Sequence, residues 1–185
     1  MICRKLEECV LGELKGTSVS KCDNERKRCI KSSDTRSSVS CSEKGKTYIL
    51  ENTAKKLIIH YCMDNGIITV DKSVPEGTGK CDRLYIIEGE TPTAILIELK
   101  GKASEKALQQ LKSVLELYDP FFKKCENVYV RAVVTGAVPK LRAKPSYTNL
   151  ARHLKSNYKG NIKIAERQFS EKDTELSVSQ KEKTK

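Results

Sequence analysis

The sequence contains no tryptophan, two histidines and two methionines, and aromatic residues make up only 5% of its 185 positions. With 38% hydrophobic residues, the chain can bury one core of modest size, which favours one domain with extensions. It also lacks the long apolar run of a signal peptide or a membrane span, and its start, MICRKLEECVLGELKG, is charged throughout. We therefore expect no membrane partner, an intracellular (cytoplasmic or nuclear) location and reduced thiols on the eight cysteines.

Three further absences weaken common catalytic and metal-binding motifs. No two of the eight cysteines form a C-x2-C pair, so whether the N-terminal cysteines bind zinc stays open. The stretch EKGKT, residues 43–47, resembles the end of a P-loop, but Ser40 stands where that motif requires its first glycine. Neither His60 nor His153 has an obvious nucleophile partner, which argues against cysteine–histidine catalysis.

Acidic residues are scarce in one part of a chain that is basic overall. Lysine and arginine number 35 against 24 aspartates and glutamates, which gives a net charge of +11. Residues 47–119 carry 11 acidic and 9 basic residues, whereas residues 120–169 carry 2 acidic and 11 basic residues. This distribution predicts a metal-binding centre beside a phosphate-binding surface, with nucleic acid as the simplest anionic partner.

Hydrophobic periodicity divides the chain into three parts. Residues 1–46 are predicted to form a basic, cysteine-containing N-terminal arm, with a short helix over 1–15 and loose packing from residue 16. Residues 170–185 are predicted to be a disordered tail. Residues 47–169 form the predicted domain, whose elements are, in order, a helix over 48–64, strands over 67–72, 82–88 and 93–100, a helix over 103–118, a strand over 127–135, a helix near 147–157 and a strand near 161–168.

The order of these elements predicts an α/β fold. Three consecutive strands joined by short connections favour an antiparallel meander. The helix over 103–118 would then cross over to a fourth strand that is parallel to the third. We therefore expect a central mixed sheet of four to five strands, flanked by helices.

The strand over 93–100, TAILIELK, is apolar along most of its length but ends in charged residues. Glu98 and Lys100 are two residues apart and therefore project from one face of an extended chain. Asp82 begins the preceding strand, and pairing of the two strands could bring it alongside. Two converging carboxylates suit a hard cation such as Mg²⁺, and a neighbouring lysine can orient water or stabilise charge on a phosphate. The alternative is a solvated strand end with one surface ion pair.

The spacing D-x15-E-x-K, on the second and third strands of a helix–three strands–helix–strand order, resembles the PD-(D/E)XK nuclease superfamily. The resemblance covers roughly residues 47–135, and restriction endonucleases, resolvases and RecB-type exonucleases are members of this superfamily. Cys81 stands where the family often has its proline. The resemblance implies a restriction endonuclease-like αβββαβ core and Mg²⁺-dependent hydrolysis of phosphodiester bonds, with Mn²⁺ as a substitute. It also implies that Asp82 and Glu98 are metal ligands and that Lys100 orients the attacking water.

Two further candidates follow from the resemblance. Many relatives carry a helix glutamate at the metal site, and Glu51 is the matching position, on the apolar arc of the helix predicted over 48–64. The alternative for Glu51 is an edge residue near a helix N-terminus, where a negative charge is favourable. RecB-type relatives carry a glutamine on the second helix, where Gln110 flanks the apolar stripe and Gln109 points away. A surface glutamine is the alternative for Gln110.

Residues 140–163 contain seven basic residues and no acid, interleaved with Tyr147, His153 and Tyr158. Because cations bind the phosphate backbone and rings stack on bases, this stretch favours a nucleic-acid contact over a solvated helix face. The predicted nucleic-acid-binding residues are Lys140, Arg142, Lys144, Arg152, Lys155, Lys159 and Lys163.

Together, these features predict a metal-dependent nuclease that acts on DNA. The alternative is a nucleic-acid-binding module that keeps the nuclease fold but does not cut. A third possibility is a protein-interaction subunit whose basic arm docks onto an acidic partner. Because one site cuts one strand at a time, cleavage of a duplex or a junction would favour a homodimer.

Overall fold

The computed structural model describes residues 2–17, 26–71, 73–101, 105–136 and 138–178. Within these ranges the chain forms two β-sheets and a layer of helices. The strands are β1 (Ile30–Asp34), β2 (Ser38–Glu43), β3 (Lys46–Glu51), β4 (Ile58–Cys62), β5 (Arg83–Ile87), β6 (Thr93–Lys100), β7 (Asn127–Val134), β8 (Ile162–Glu166) and β9 (Gln168–Lys172). The helices are α1 (Ile2–Leu14), α2 (Arg26–Cys29), α3 (Ile68–Val70), α4 (Glu105–Leu117), α5 (Asp119–Phe122), α6 (Val138–Arg142) and α7 (Pro145–Tyr158), with a π-helical turn at Met63–Ile67 and a 3₁₀ turn at Asp173–Glu175.

The larger sheet has the strand order β1-β4-β5-β6-β7-β8. In this sheet the pairs β1–β4, β4–β5 and β5–β6 are antiparallel, whereas β7 is parallel to β6 and β8 is parallel to β7. The smaller sheet has β3 at its centre, antiparallel to β2 and parallel to β9. The predicted α/β class with a mixed sheet is confirmed. In the described ranges, however, the main sheet has six strands rather than four or five, and the sequence did not predict the second sheet.

The two faces of the larger sheet bury two separate apolar clusters. On β6, Ala94 and Leu96 belong to the cluster formed with the helices. Ile95, Ile97 and Leu99 alternate with them and belong to the cluster formed with the smaller sheet. The strand is therefore covered on both faces, which explains its almost uninterrupted apolar sequence. None of the helices in the described ranges is long and apolar enough to cross a membrane.

The sequence pattern locates the centre of the larger sheet closely. The strands predicted over 82–88, 93–100 and 127–135 correspond to β5, β6 and β7, and the strand near 161–168 corresponds to β8. The helices predicted over 103–118 and near 147–157 correspond to α4 and α7. α4 carries the predicted crossover from β6 to the parallel β7. It packs on the sheet through the apolar stripe Ala107, Leu108, Leu111, Val114 and Leu115.

The helix predicted over 48–64 is wrong, because this stretch forms most of β3, a turn and β4. Buried and half-buried positions alternate along β3, which is the period of a strand with one covered face. In the turn, the side-chain amide of Asn52 bonds to the backbone of Lys56. Its Oδ1 accepts from the Lys56 backbone N–H at 3.0 Å, and its Nδ2 donates to the Lys56 carbonyl at 2.7 Å. Apolar residues such as Leu50, Ile58 and Tyr61 satisfy helical spacing and strand pairing alike, so periodicity alone misassigned them.

Three other predicted segments are corrected by the structure. The strand predicted over 67–72 is wrong, since Ile67 ends the π-helical turn and α3 follows. The helix over 1–15 is confirmed as α1, but loose packing is wrong for residues 26–46, because β1 joins the larger sheet and β2 pairs with β3. The predicted disorder is wrong for residues 170–178, which continue β9 and form the 3₁₀ turn. Residues 18–25 and 179–185 lie outside the described residues.

A buried carboxylate on β9 joins the two sheets. Glu171 accepts hydrogen bonds from the Arg131 guanidinium, from Lys163 Nζ at 2.7 Å and from Tyr48 Oη at 2.9 Å. Arg131 and Lys163 lie on β7 and β8 of the larger sheet, whereas Tyr48 lies on β3 of the smaller sheet. Arg131 is 0% exposed and Lys163 is 5% exposed. Each of these buried charges therefore depends on the others for compensation.

Glu171→Ala should lower the free energy of unfolding by about 3–5 kcal/mol, because it leaves Arg131 and Lys163 buried without their counter-charge. Urea denaturation monitored by circular dichroism measures the change. Glu175→Ala, at an exposed position of the 3₁₀ turn, is the matched control and should change stability by less than about 0.5 kcal/mol. Equal effects of the two substitutions would contradict the role assigned to Glu171.

Candidate active site

Asp82 lies directly before β5 and is fixed against β6. Its amide donates to the Ile97 carbonyl at 3.1 Å, and its carbonyl accepts from the Met63 amide at 3.0 Å. Its carboxylate Oδ2 accepts a hydrogen bond from the Leu99 amide at 2.6 Å. The carboxylate therefore lies against the backbone of the residue that follows Glu98. Burial raises the pKa of Asp82, and the hydrogen bond from Leu99 opposes that rise.

Glu98 is 1% exposed, although it carries a carboxyl group. One of its oxygens, Oε2, is buried and has no hydrogen-bond partner among the described residues. Burial and then the negative charge of Asp82 raise the pKa of Glu98 to about 8, although Lys100 lowers it. At neutral pH and without a cation, this carboxyl group is therefore mainly protonated.

Lys100 follows Glu98 on the same face of β6 and is held by α4. Its Nζ lies 3.6 Å from Glu98 Oε1 and donates to Gln110 Oε1 at 3.0 Å. Gln110 Nε2 donates in turn to the Lys80 carbonyl at 2.7 Å. The helix and the segment before Asp82 thus fix the ammonium beside Glu98. The structure brings Gln110 into the site, while Gln109 is exposed, as the helical spacing indicated.

Glu43 is a residue near the site that sequence reasoning missed. It ends β2 on the smaller sheet, and its negative charge raises the pKa of both Asp82 and Glu98. Its side chain is partly exposed and lies 3.6 Å from Lys44 Nζ. No spacing rule connects Glu43 with Asp82 or Glu98, since only the packing of the two sheets brings them near one another.

Glu51 is not brought together with Asp82 and Glu98. It ends β3, and the alternation along this strand places it on the face opposite Tyr48 and Leu50, away from the larger sheet. Its Oε1 accepts a hydrogen bond from Ser170 Oγ at 2.9 Å. The metal-ligand role predicted for Glu51 assumed a helix that the chain does not form at this position.

Part of the predicted nucleic-acid-binding stretch is structural. Lys163 is buried and bound to Glu171, and Arg142 donates to the Ile164 carbonyl at 2.7 Å. Tyr158 is also buried, and its hydroxyl donates to Asp119 Oδ1 at 2.7 Å, so its ring is not free to stack on a base. Lys144 is exposed but lies 3.3 Å from Glu105. The other exposed residues of the predicted set are Lys140, Arg152, Lys155 and Lys159.

The donors at the site suit a hard divalent cation. Asp82 and Glu98 supply carboxylate oxygens, which Mg²⁺ prefers, and Glu98 Oε2 is the buried oxygen without a partner in the described chain. Within the described ranges, no group of three or more histidines, cysteines, aspartates or glutamates is arranged to hold a metal. A cation here would therefore have two carboxylate ligands and complete its shell with water, backbone or substrate oxygens. This ligand set is ordinary for Mg²⁺, which keeps several waters in most protein sites.

Comparisons with known proteins give no further guidance. No protein-family model, no curated protein and no solved structure matches the chain. The relationship to the PD-(D/E)XK nucleases therefore stays a prediction from the motif and the order of elements.

Without divalent cations, the protein should lose stability as the pH rises. The pKa of Glu98 is raised from 4.5 to about 8 in the folded state. Its contribution to stability is therefore fully present below about pH 4.5 and is lost as the pH rises towards 8. Relative to Glu98→Gln, which cannot ionise at this position, the wild type should lose about 3–5 kcal/mol between about pH 5 and about pH 8.5. Urea denaturation of both proteins in EDTA and reductant measures the difference. A difference that does not change with pH would show that the pKa of Glu98 is ordinary.

Proposed function

We propose that this protein is a Mg²⁺-dependent nuclease of the PD-(D/E)XK type that hydrolyses phosphodiester bonds in DNA. The observation that carries the proposal is that Asp82 and Lys100 both lie near the buried carboxyl group of Glu98. A buried carboxyl group whose pKa is strongly raised, beside a second acid and a lysine, lowers the stability of the fold at neutral pH. Such arrangements are common at functional sites. The proposed chemistry gives a reason for this cost.

The elements around the site also support the proposal. β4, β5 and β6 form an antiparallel meander, and α4 leads from β6 to the parallel β7. This order matches the strand–strand–strand–helix–strand part of the core that the resemblance implies. Asp82 directly precedes the second of these strands, and Glu98 and Lys100 lie at the end of the third. β3, rather than a helix, directly precedes the meander, so Glu51 has no role in the proposed reaction.

Each residue of the site has a distinct role in this proposal. Asp82 and Glu98 would hold Mg²⁺. When bound, Mg²⁺ lowers the pKa of water and neutralises charge on the phosphate. Lys100, held by Gln110, orients the attacking water and stabilises the negative charge that develops on the phosphate. Because Glu98 would have to ionise to hold the cation, it would give up the proton that its raised pKa retains.

The exposed basic residues supply the contact with the nucleic-acid backbone. Lys140 lies on α6, Arg152 and Lys155 lie on α7, and Lys159 follows α7. Lysine and arginine at such positions neutralise phosphates and give affinity that does not depend on base sequence. Because one copy carries one site, cutting both strands of a duplex would require a second copy, as in a homodimer.

The test is DNA cleavage by the purified protein on plasmid, single-stranded and branched substrates. Cleavage should require Mg²⁺ or Mn²⁺ and stop with EDTA. Asp82→Asn, Glu98→Gln and Lys100→Ala should each lower kcat/KM at least about 100-fold, because each removes a group that acts on the phosphate or the water. Time courses resolved on gels measure the rates.

Glu51→Gln is the matched control. It removes one carboxylate charge at a position outside the site and keeps the acceptor for Ser170 Oγ, so cleavage should continue at the wild-type rate. Metal-dependent cleavage that continues in both the Glu98→Gln and the Lys100→Ala variants would contradict the proposed mechanism.

A second candidate is a nucleic-acid-binding module that keeps the fold but does not cut. The exposed Lys140, Arg152, Lys155 and Lys159 support it as well, because they would bind a nucleic-acid backbone whether or not Asp82 and Glu98 hold a metal. DNA binding in mobility-shift assays, with no cleavage under any of the metal conditions, would select this function.

Gln110→Ala should lower kcat about tenfold and leave KM for DNA unchanged, because Gln110 positions Lys100 without contacting the substrate. Gln109→Ala, at the exposed neighbouring position of α4, should change neither constant. Steady-state kinetics on a fluorescent oligonucleotide separate kcat from KM, and Gln110→Glu should restore part of the loss by keeping the acceptor for Lys100. Equal behaviour of the two alanine variants would remove Gln110 from the positioning role.

A further inference from the structure

A polar cavity lies on the face of the larger sheet that carries the smaller sheet. It has a volume of about 360 Å³ and lies between β2 and the strands β1, β4 and β5. Ser38, Ser40 and Ser42 of β2 and Ser32 of β1 line it. Since β2 is an edge strand in the described sheet, half of its backbone N–H and C=O groups point away from β3. The Ser38, Ser40 and Ser42 side chains alternate with the buried Val39 and Cys41, so β2 presents its backbone edge to the cavity, while Ser32, paired with His60, shares the face of that histidine. This cavity, here named the serine cleft, therefore offers the backbone N–H groups of β2 and the Ser32 hydroxyl as hydrogen-bond donors.

The described lining of the serine cleft contains three cations and no acid. The cations are Lys31, Arg36 and Arg83. Arg36 is partly compensated, because its guanidinium lies 2.5 Å from Asp34. Arg83 donates to the Asp82 carbonyl at 2.8 Å, and its charge is partly compensated, because it acts on the Asp82 carboxyl group and lowers the pKa of that group. Lys31 is exposed. The cleft therefore carries a net positive charge.

The wall of the serine cleft also contains a buried histidine. His60 is 7% exposed, and its Nε2 is buried with no hydrogen-bond partner among the described residues. Burial and then the charges of Arg83, Lys31 and Arg36 lower the pKa of His60 to about 4, so its ring is neutral at neutral pH. Its edge-on contact with the Tyr85 ring, at 4.7 Å between centroids, fixes its orientation. Because Nε2 is buried, the ring lies behind the cleft surface and would sense the charge of a bound anion without bonding to it.

We propose that the serine cleft binds a phosphate group of the nucleic-acid strand that is cut at Asp82 and Glu98. This inference rests on the proposed nuclease function. The two sites are adjacent along the chain, because Arg83 follows Asp82 and Ser42 precedes Glu43. The charge of Glu43 already acts on Asp82 and Glu98, which places the end of β2 near both. Glu98 lies on the face of the larger sheet that carries α4, whereas the cleft lies on the opposite face. A nucleic-acid strand that passes round the end of β2 would therefore place one phosphate at the active site and another in the cleft.

The chemistry of the serine cleft selects phosphate over other ligands. Ammonium, guanidinium, hydroxyl and N–H groups all donate hydrogen bonds to the oxygens of a tetrahedral anion. A metal ion would find no carboxylate in the described lining, and an apolar ligand would leave these polar groups without partners. The volume also leaves room for water or part of a sugar beside one phosphate group.

Histidine-selective ¹⁵N NMR tests this proposal in the absence of divalent cations. The chain has two histidines, so His60 can be followed directly, while His153, next to Arg152 on α7, reports separately on the proposed phosphate contacts of that helix. Inorganic phosphate, added at constant ionic strength against sodium chloride, should shift the His60 signals. A short 5′-phosphorylated oligonucleotide should produce the same His60 shift at lower concentration, because several of its phosphates bind at once.

Charge reversal provides the matched variants. Lys31→Glu should weaken the binding of inorganic phosphate to the His60 site about tenfold, and should raise KM for DNA cleavage, because it places a negative charge at the cleft. Lys56→Glu makes the same change at an exposed position outside the cleft and should leave both quantities unchanged. Both positions are exposed, so neither substitution disturbs the core.

The outcomes separate this inference from the proposed function. A His60 signal that does not respond to phosphate, or a Lys31→Glu variant that binds phosphate and cuts DNA like the wild type, overturns the cleft assignment while leaving nuclease activity in place. A response to inorganic phosphate without any response to the oligonucleotide also overturns it, since the site would then serve a free anion. A His60 response to both probes that is lost in Lys31→Glu supports the cleft even if cleavage is absent, and in that case only the nuclease proposal fails.

Discussion

The structure depends on one buried carboxylate that is shared by groups from both sheets. Glu171 accepts hydrogen bonds from Arg131, Lys163 and Tyr48, so β9 is bound to the larger sheet by charge and to β3 by backbone pairing. This contact holds the smaller sheet over the apolar face of the larger one. The position of β2 follows from it, because β2 is anchored through β3. Glu43 and the serine cleft, both built on β2, therefore depend on an ion pair at the opposite edge of the smaller sheet.

The candidate site has the opposite electrostatic character. At Glu171 each charge has a buried counter-charge, whereas two carboxylates at Asp82 and Glu98 face the one ammonium of Lys100. Because the two negative charges would not be balanced, Glu98 keeps its proton at neutral pH. In the proposed function, a divalent cation would balance the same charges in place of that proton. The described chain thus contains one ion cluster whose buried charges are compensated and one in which they are not.

The features that were predictable from the sequence are those that local pattern determines. β6 and α4 show complete strand and helix patterns between clear turn signals, and the two-residue spacing of Glu98 and Lys100 fixes their common face. The features that were not predictable depend on the pairing of segments that are far apart in the sequence. Glu51 was misplaced because the apolar spacing around it fits a helix and two strands equally well. The burial of Lys163 and the position of Glu43 could not be seen, because both follow from the attachment of β9 and the smaller sheet, which leaves no periodic signal in the sequence.

The parallel pairing of β3 with β9 also has a consequence for biosynthesis. Thr47 of β3 lies opposite Gln168 of β9, so more than a hundred residues must be made between the two partners. During translation, β2 and β3 can form their hairpin early, but the face of the larger sheet under them has no fixed cover until residues 168–172 have left the ribosome. The nascent chain therefore carries the Asp82 and Glu98 carboxyls, without the assembled sheet pair around them, while residues 99–168 are made. The order of synthesis thus makes the final position of Glu43, on β2 of the smaller sheet, depend on one of the last segments to be made.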